Sequence, residues 1–165
     1  MLVMNTLIAY ASKSGTTKTC VHILEHDFNG QAKLIDLTIC EPSLETYDTI
    51  VIGGPVRYGQ LHSSVKNFIK NHLDELKQKE IGLFICCAGV KNAEQYFQDN
   101  FPGELLEHAK AIECFGGEIR PQALGIFDKL LVKIAVKSYA ADQQPSILID
   151  NIHIFADRME STLHS

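Results

Sequence analysis

Five short apolar runs, separated by stretches of helical character, constrain this chain more than any other feature. Thr6–Tyr10 is the first, 31–36 a weaker second, 49–54 the third, 81–87 the fourth and 112–119 the fifth. The first, third and fourth are almost unbroken in apolar residues, which is the composition of strands covered on both faces, as in a parallel sheet. Helical patterns lie between them. Residues 16–28 follow the first run, and Ser63–Leu76 places Val65, Phe68, Ile69, His72, Leu73 and Leu76 on one face with Lys66 and Lys70 outside. Residues 103–111 carry Leu105, Leu106 and Ala109, and 151–163 close the chain. Strand alternating with helix implies an α/β architecture with right-handed crossovers. Five strands in 165 residues imply a doubly wound parallel sheet of order 2-1-3-4-5.

The whole chain, 1–165, reads as one domain. Hydrophobic residues are 45% and charged residues 21%, so a packed core is expected and disorder is not. A net charge of -5 argues against a general nucleic-acid partner. No stretch approaches the roughly 20 apolar residues of a membrane span. The apolar N-terminus lacks a basic leading segment and reads as a first strand, not a signal peptide. Cys20, Cys40, Cys86, Cys87 and Cys114 are odd in number and contain no C-x-x-C pair. Neither a disulfide framework nor a zinc site is expected, and cytoplasmic reduced thiols are.

The first run feeds into Ser12-Lys13-Ser14-Gly15-Thr16-Thr17, which opens a helix. A phosphate needs backbone N–H donors, hydroxyls and the positive end of a helix dipole, and this loop supplies all three. Neither the G-x-x-x-x-G-K loop nor the G-x-G-x-x-G turn is present. The plainer reading is an N-cap cluster on a surface helix. Ligands on a doubly wound sheet bind at the carboxyl ends of the strands, so the loops after the third and fourth runs belong to the same region. The third run ends in Gly53-Gly54-Pro55-Val56-Arg57-Tyr58-Gly59, where Tyr58 either stacks on a flat ring or is an ordinary half-buried aromatic. The fourth ends in Cys87-Ala88-Gly89-Val90-Lys91-Asn92, and Tyr96 either flanks a ring or packs the next helix.

The pattern [ST]-x-[ST]-G-x-[ST] behind an apolar first strand resembles the FMN phosphate loop of flavodoxins. The resemblance implies a flavodoxin-like fold with FMN as cofactor. Its phosphate would be held by Ser12, Ser14, Gly15 and Thr17, with backbone amides from Lys13 and Thr16. Its ring would lie against Gly54, Pro55, Val56, Arg57, Tyr58 and Gly59 of the second loop, and Cys87, Ala88, Gly89 and Tyr96 of the third. Residues 56–63 read Val-Arg-Tyr-Gly-Gln-Leu-His-Ser. They are similar to the I-R-Y-G-x-x-H-S segment of the flavodoxin-type, menaquinone-dependent protoporphyrinogen dehydrogenases of haem biosynthesis. The similarity continues through 115–119 and 127–134 and so covers nearly the whole chain. It implies a quinone-linked, FMN-dependent oxidoreductase, with a quinone or a redox protein as partner. The alternative is a flavodoxin-type electron-transfer protein without its own substrate. A third reading keeps the fold with poor FMN binding.

Flavodoxins crowd acidic residues round the flavin; this chain offers Arg57 and Lys91 in the two ring loops. A nearby cation favours the negatively charged reduced form, implying a less negative potential than a carrier's. The other reading sends both side chains to solvent. No nucleophile has a positioned base, so no catalytic residue and no hydrolysis are assigned. His62 either caps the helix beginning at Ser63 or lines the pocket. His22 and His26, at i and i+4, have the spacing of metal ligands or of a solvated helix face, and no metal is expected. Cys86 and Cys87 are consecutive on a strand, point to opposite faces and read as core.

Residues 121–145 are too long for a plain connection and read as an insertion after the fifth strand. Residues 126–139 form an inserted helix with an apolar stripe at Ile126, Phe127, Leu130, Leu131, Ile134 and Ala135. Lys129, Lys133 and Lys137 form a basic row beside it. Such a helix suits a peripheral contact at the inner face of an anionic membrane. It also suits packing on its own domain or a homodimer contact.

Overall fold

The computed structural model describes residues 5–12, 15–117 and 146–161. The inserted helix, its lysine row, Lys13 and Ser14 lie outside the described residues. The strands are β1 (Thr6–Tyr10), β2 (Ala32–Asp36), β3 (Thr49–Arg57), β4 (Gln60–Leu61), β5 (Glu80–Cys86) and β6 (Ala111–Cys114). The helices are α1 (Thr16–Asp27), α2 (Ser63–Leu76), α3 (Ala93–Asn100), α4 (Gly103–His108) and α5 (Ile149–Glu160).

Five strands form a parallel sheet in the order β2-β1-β3-β5-β6, with β4 added to the end of β3 as a short antiparallel partner. Counting the parallel strands alone, this is the expected 2-1-3-4-5. The unbroken apolar runs follow from the two covered faces. In β1, Leu7 and Ala9 join one core, while Ile8 and Tyr10 join the other. In β5, Ile81, Leu83 and Ile85 face the first core, whereas Phe84 and Cys86 face the second. A strand with helices on both sides has no solvent face to make polar, so its alternation disappears. The weaker run is β2, an edge strand whose Lys33 is exposed.

Helices α2, α3 and α4 cover the first face through Val65, Phe68, Ile69, Leu76, Phe97, Phe101 and Leu105. Helices α1 and α5 cover the second through Val21, Leu24, Ile152, Phe155 and Met159. There Phe84 stacks on Phe115 with centroids 4.7 Å apart, and Phe155 meets Phe115 edge-on at 5.3 Å. Gly82 permits a close approach of α5: a Cβ there would lie 2.6 Å from Phe155 and 2.7 Å from the Met159 sulfur.

Several boundaries differ from expectation, each for a tertiary reason. The fifth run stops as a strand at Cys114, because Gly116 adopts φ +72° and bridges Ile147. Helix α4 ends at His108, since the Lys110 N–H already bonds the Ile81 carbonyl at 2.7 Å and draws the chain into the sheet. The third run extends to Arg57, because β4 folds back on it. Helix α3 buries only Phe97 fully, too narrow a face to show as a sequence stripe.

Candidate cofactor-binding site

All three loops singled out in the sequence emerge from the carboxyl ends of β1, β3 and β5, which are adjacent in the sheet. Connections leave β1 and β3 toward opposite faces, so a crevice opens at this switch point. A groove of about 520 Å³ lies there, lined by Ser12, Thr38, Pro55, Arg57, Gln60, His62 and Ser63. It joins the first loop to the second.

In the first loop, Gly15 caps α1 at φ 89°, a left-handed conformation that glycine adopts without a Cβ penalty. The Ser12 hydroxyl folds back to accept from the Gly15 N–H at 3.1 Å and the Lys18 N–H at 3.4 Å. The arrangement places a hydroxyl and the N-terminus of a three-turn helix together, which is the electrostatic environment of a bound anion. Thr16 and Thr17 are both buried. Thr17 is almost wholly buried beneath the helix, so its backbone is what it can turn toward the loop.

The second loop is a hairpin. Arg57 pairs with Gln60 and Val56 with Leu61, leaving Tyr58 and Gly59 as a two-residue turn with φ 54° and 75°. Two positive φ values define the turn that matches strand twist, normally built from Asn or Gly. A tyrosine at the first position is strained, and it is 68% exposed at the tip with the Arg57 guanidinium carbon 5.9 Å from its ring. Gly54 and Val56 are buried within β3, and Pro55 lines the groove. A Cβ on Gly54 would meet Val65 at 3.0 Å, so α2 packs directly on this backbone.

His62 does both things open to it: its Nδ1 accepts from the Ser64 N–H at 3.1 Å, capping α2, and its ring lines the groove. Opposite, Thr38 donates twice to the Asp36 carboxylate, closing a tight turn at the groove's rim.

The third loop, Cys87-Ala88-Gly89, passes through one 3-10 turn at Val90–Asn92 into α3. Tyr96 lies between the second and third loops: its ring edge stands 3.8 Å from the Cβ position of Gly59, and its hydroxyl 3.5 Å from that of Gly89. One helical turn later, Asn100 donates to the Gly59 carbonyl at 2.9 Å and to the Tyr96 carbonyl at 2.8 Å, and accepts from the Leu61 N–H at 3.0 Å. Asn100 therefore clamps the hairpin to α3. Sequence reasoning passed over it; the only trace was its i+4 spacing from Tyr96. Lys91 is exposed beside the third loop, and Arg57 is half-buried.

Away from this crevice, His22 and His26 share a groove of about 470 Å³ with His153 of α5, whose Nδ1 lies 2.5 Å from an Asp27 carboxylate oxygen. Among the described residues no three such side chains converge as metal ligands, and no helix is long and apolar enough to cross a membrane.

Comparison with known proteins agrees with this geometry. The flavodoxin domain model matches residues 7–146. A protein of Escherichia coli strain K12 named protoporphyrinogen IX dehydrogenase [quinone] is 34% identical over 144 residues, covering 81% of this chain and 80% of the relative. Oxidised Flavodoxin 1 from Bacillus cereus superposes with a TM-score of 0.54 at 15% identity, over 96% of this chain and 99% of that one. A short-chain flavodoxin associated with a non-canonical PDU bacterial microcompartment gives 0.55 at 12%, over 95% and 97%. The two structures share the fold. The chain belongs to the flavodoxin-domain family.

Proposed function

We propose that this protein is an FMN-dependent oxidoreductase that accepts electrons from a porphyrinogen and passes them to a quinone. The observation that carries the reading is the 34% identity to a quinone-linked protoporphyrinogen IX dehydrogenase, spread over four fifths of both chains. The crevice suits the cofactor. Ser12, Gly15 and the start of α1 would receive the phosphate, joined by Lys13, Ser14 and the backbone of Thr16 and Thr17. Gly54, Pro55, Val56, Arg57, Tyr58 and Gly59 would border the ring on one side, with Cys87, Ala88, Gly89 and Tyr96 on the other. Bound FMN would supply reversible two-electron chemistry; the protein's part is to hold and orient it and set its potential.

The residues between Gly54 and Gly59 and between Cys87 and Asn92 include Arg57 and Lys91 and no carboxylate. Positive charge at the ring stabilises added electrons, which suits a protein that accepts electrons from a substrate. The quinone and the porphyrinogen are the proposed partners, and any membrane or dimer contact would add to them.

The test has two stages. Purified protein that is yellow, with flavin absorbance released as FMN on denaturation, supports the cofactor. Anaerobic addition of protoporphyrinogen IX should bleach that absorbance, and a menaquinone analogue should restore it. Flavin that is bleached only by a reductase and never by porphyrinogen would replace this reading with an electron-transfer flavodoxin.

A further inference from the structure

Two sulfurs that the proposed redox chemistry does not use lie against each other at the edge of the crevice. Cys87, just past β5, and Cys114, the last residue of β6, have their Sγ atoms 3.6 Å apart. Either thiol can donate in this contact, and the Cys114 sulfur also accepts from the Gly116 N–H at 3.4 Å. The contact with Cys87 and the Gly116 N–H hold the Cys114 thiol down, to about 7, whereas the contact with Cys114 and burial push Cys87 up. One member is thus predisposed to be the thiolate and the other the thiol, the division of labour of an attacking and a resolving cysteine.

The surrounding backbone already joins the two positions. The Cys87 N–H bonds the Gly116 carbonyl at 2.9 Å, and Gly117 packs on the Cys87 carbonyl so closely that a Cβ would lie 3.2 Å from its carbon. Closing from 3.6 Å to a covalent S–S bond requires about 1.6 Å of sulfur movement. Each cysteine retains 5% of its surface at the carboxyl edge of the sheet. The chain contains its own controls. Cys20 and Cys86 pair instead on the opposite face, where the contact with Cys20 and then burial push Cys86 well up. Cys40 is exposed and stands alone in this respect.

We propose that Cys87 and Cys114 form a peroxide-oxidisable dithiol, whose intramolecular disulfide fastens the third crevice loop to the end of β6. The Cys114 thiolate attacks one peroxide oxygen and the O–O bond breaks, giving a sulfenic acid at Cys114 and hydroxide. The Cys87 sulfur then displaces the sulfenic hydroxyl, which leaves as water with the Cys87 proton. The hydroxide takes up the proton first lost by Cys114. In sum, two thiols lose two electrons and hydrogen peroxide becomes two waters. Cys87 also borders the proposed ring site, but the dithiol chemistry itself needs neither FMN nor a quinone.

The experiment treats the full-length reduced protein with limiting hydrogen peroxide, quenches with an alkylating reagent and maps the peptides by mass spectrometry. The expected product is a peptide pair crosslinked through Cys87 and Cys114, two hydrogens lighter than the reduced pair and cleaved by dithiothreitol. Its rate of formation should rise at lower pH than that of an ordinary thiol, in keeping with the Gly116 N–H held on the Cys114 sulfur. In Cys87→Ser, oxidation should stop at a Cys114 sulfenic acid that a dimedone-type reagent traps. The proposal is overturned if Cys87 and Cys114 stay alkylatable while Cys40 oxidises, or if the crosslink joins Cys20 to Cys86 instead. The wild-type map decides it even if the serine variant does not fold.

Discussion

Replacing Asn100 by alanine tests whether the hairpin is held for the ligand or merely capped by it. The side chain makes three hydrogen bonds, to the Gly59 and Tyr96 carbonyls and to the Leu61 N–H. A hydrogen bond contributes about 0.5–1.5 kcal/mol net, more where a buried donor is orphaned. Leu61 is 2% exposed, so its N–H falls in the costlier class. Together these give about 2–3 kcal/mol, a fall of about 5–10 °C in melting temperature for a chain of this size. The second effect is on binding. Without the clamp, the Tyr58-Gly59 turn and Gln60 must be re-ordered by the ligand, at about 1–2 kcal/mol per residue. The Arg57–Gln60 and Val56–Leu61 pairs retain part of that order. A ten- to hundredfold weaker FMN affinity remains, read by quenching of flavin fluorescence. Asn100→Asp separates the contributions. It keeps the acceptor for Leu61 but sets a carboxylate against two carbonyls, so its defect should shrink as pH falls and the acid protonates. An alanine variant that loses under about 0.5 kcal/mol and binds FMN within about twofold of wild type would refute the clamp.

Other positions give outcomes of different sign. Tyr58→Gly relieves a left-handed penalty of about 1 kcal/mol against an exposed cation–π contact of about 0.5 kcal/mol. The ligand-free melting temperature should hold or rise slightly while FMN affinity falls several-fold. Gly53→Ala places a Cβ 2.4 Å from the Phe84 carbonyl oxygen and ring, on a backbone that cannot yield. It should lower the urea midpoint by the equivalent of about 3 kcal/mol with an unchanged slope. His153 is raised above its ordinary 6.5, first by its hydrogen bond to Asp27. A cation stabilised in the folded state adds stability fully below pH 6.5 and loses it as pH rises through the raised value. Urea midpoints of wild type and Asp27→Asn should therefore differ in mild acid and converge in mild alkali. Arg57→Glu should make the flavin potential more negative in a potentiometric titration, since it replaces a cation bordering the ring loop by an anion.

How much of this was legible beforehand differs by element. Helix α2 was readable residue for residue, because its buried side chains Val65, Phe68, Ile69 and Leu76 form one stripe against one core. Helix α3 was not, because its partners are a strand end and a hairpin that exist only after folding. The first loop announced itself through Ser12, Gly15, Thr16 and Thr17, local chemistry at a strand–helix junction. Arg57-Tyr58-Gly59 was legible as a loop and as a motif, but its turn was not: nothing in the composition of a Tyr-Gly pair demands a left-handed tyrosine.

The alternation of apolar runs and helical stripes determined the architecture by itself. Burial on two faces leaves its mark in every residue of a central strand, and crossover handedness limits how such strands can be joined. The tertiary structure alone decided which side chains work together across that framework. Asn100 reaches Gly59 over 41 positions, and Cys87 meets Cys114 over 27. Such pairs arise where the carboxyl ends of neighbouring strands converge. Their spacing in the chain is set by whatever lies between, so no local pattern could record it.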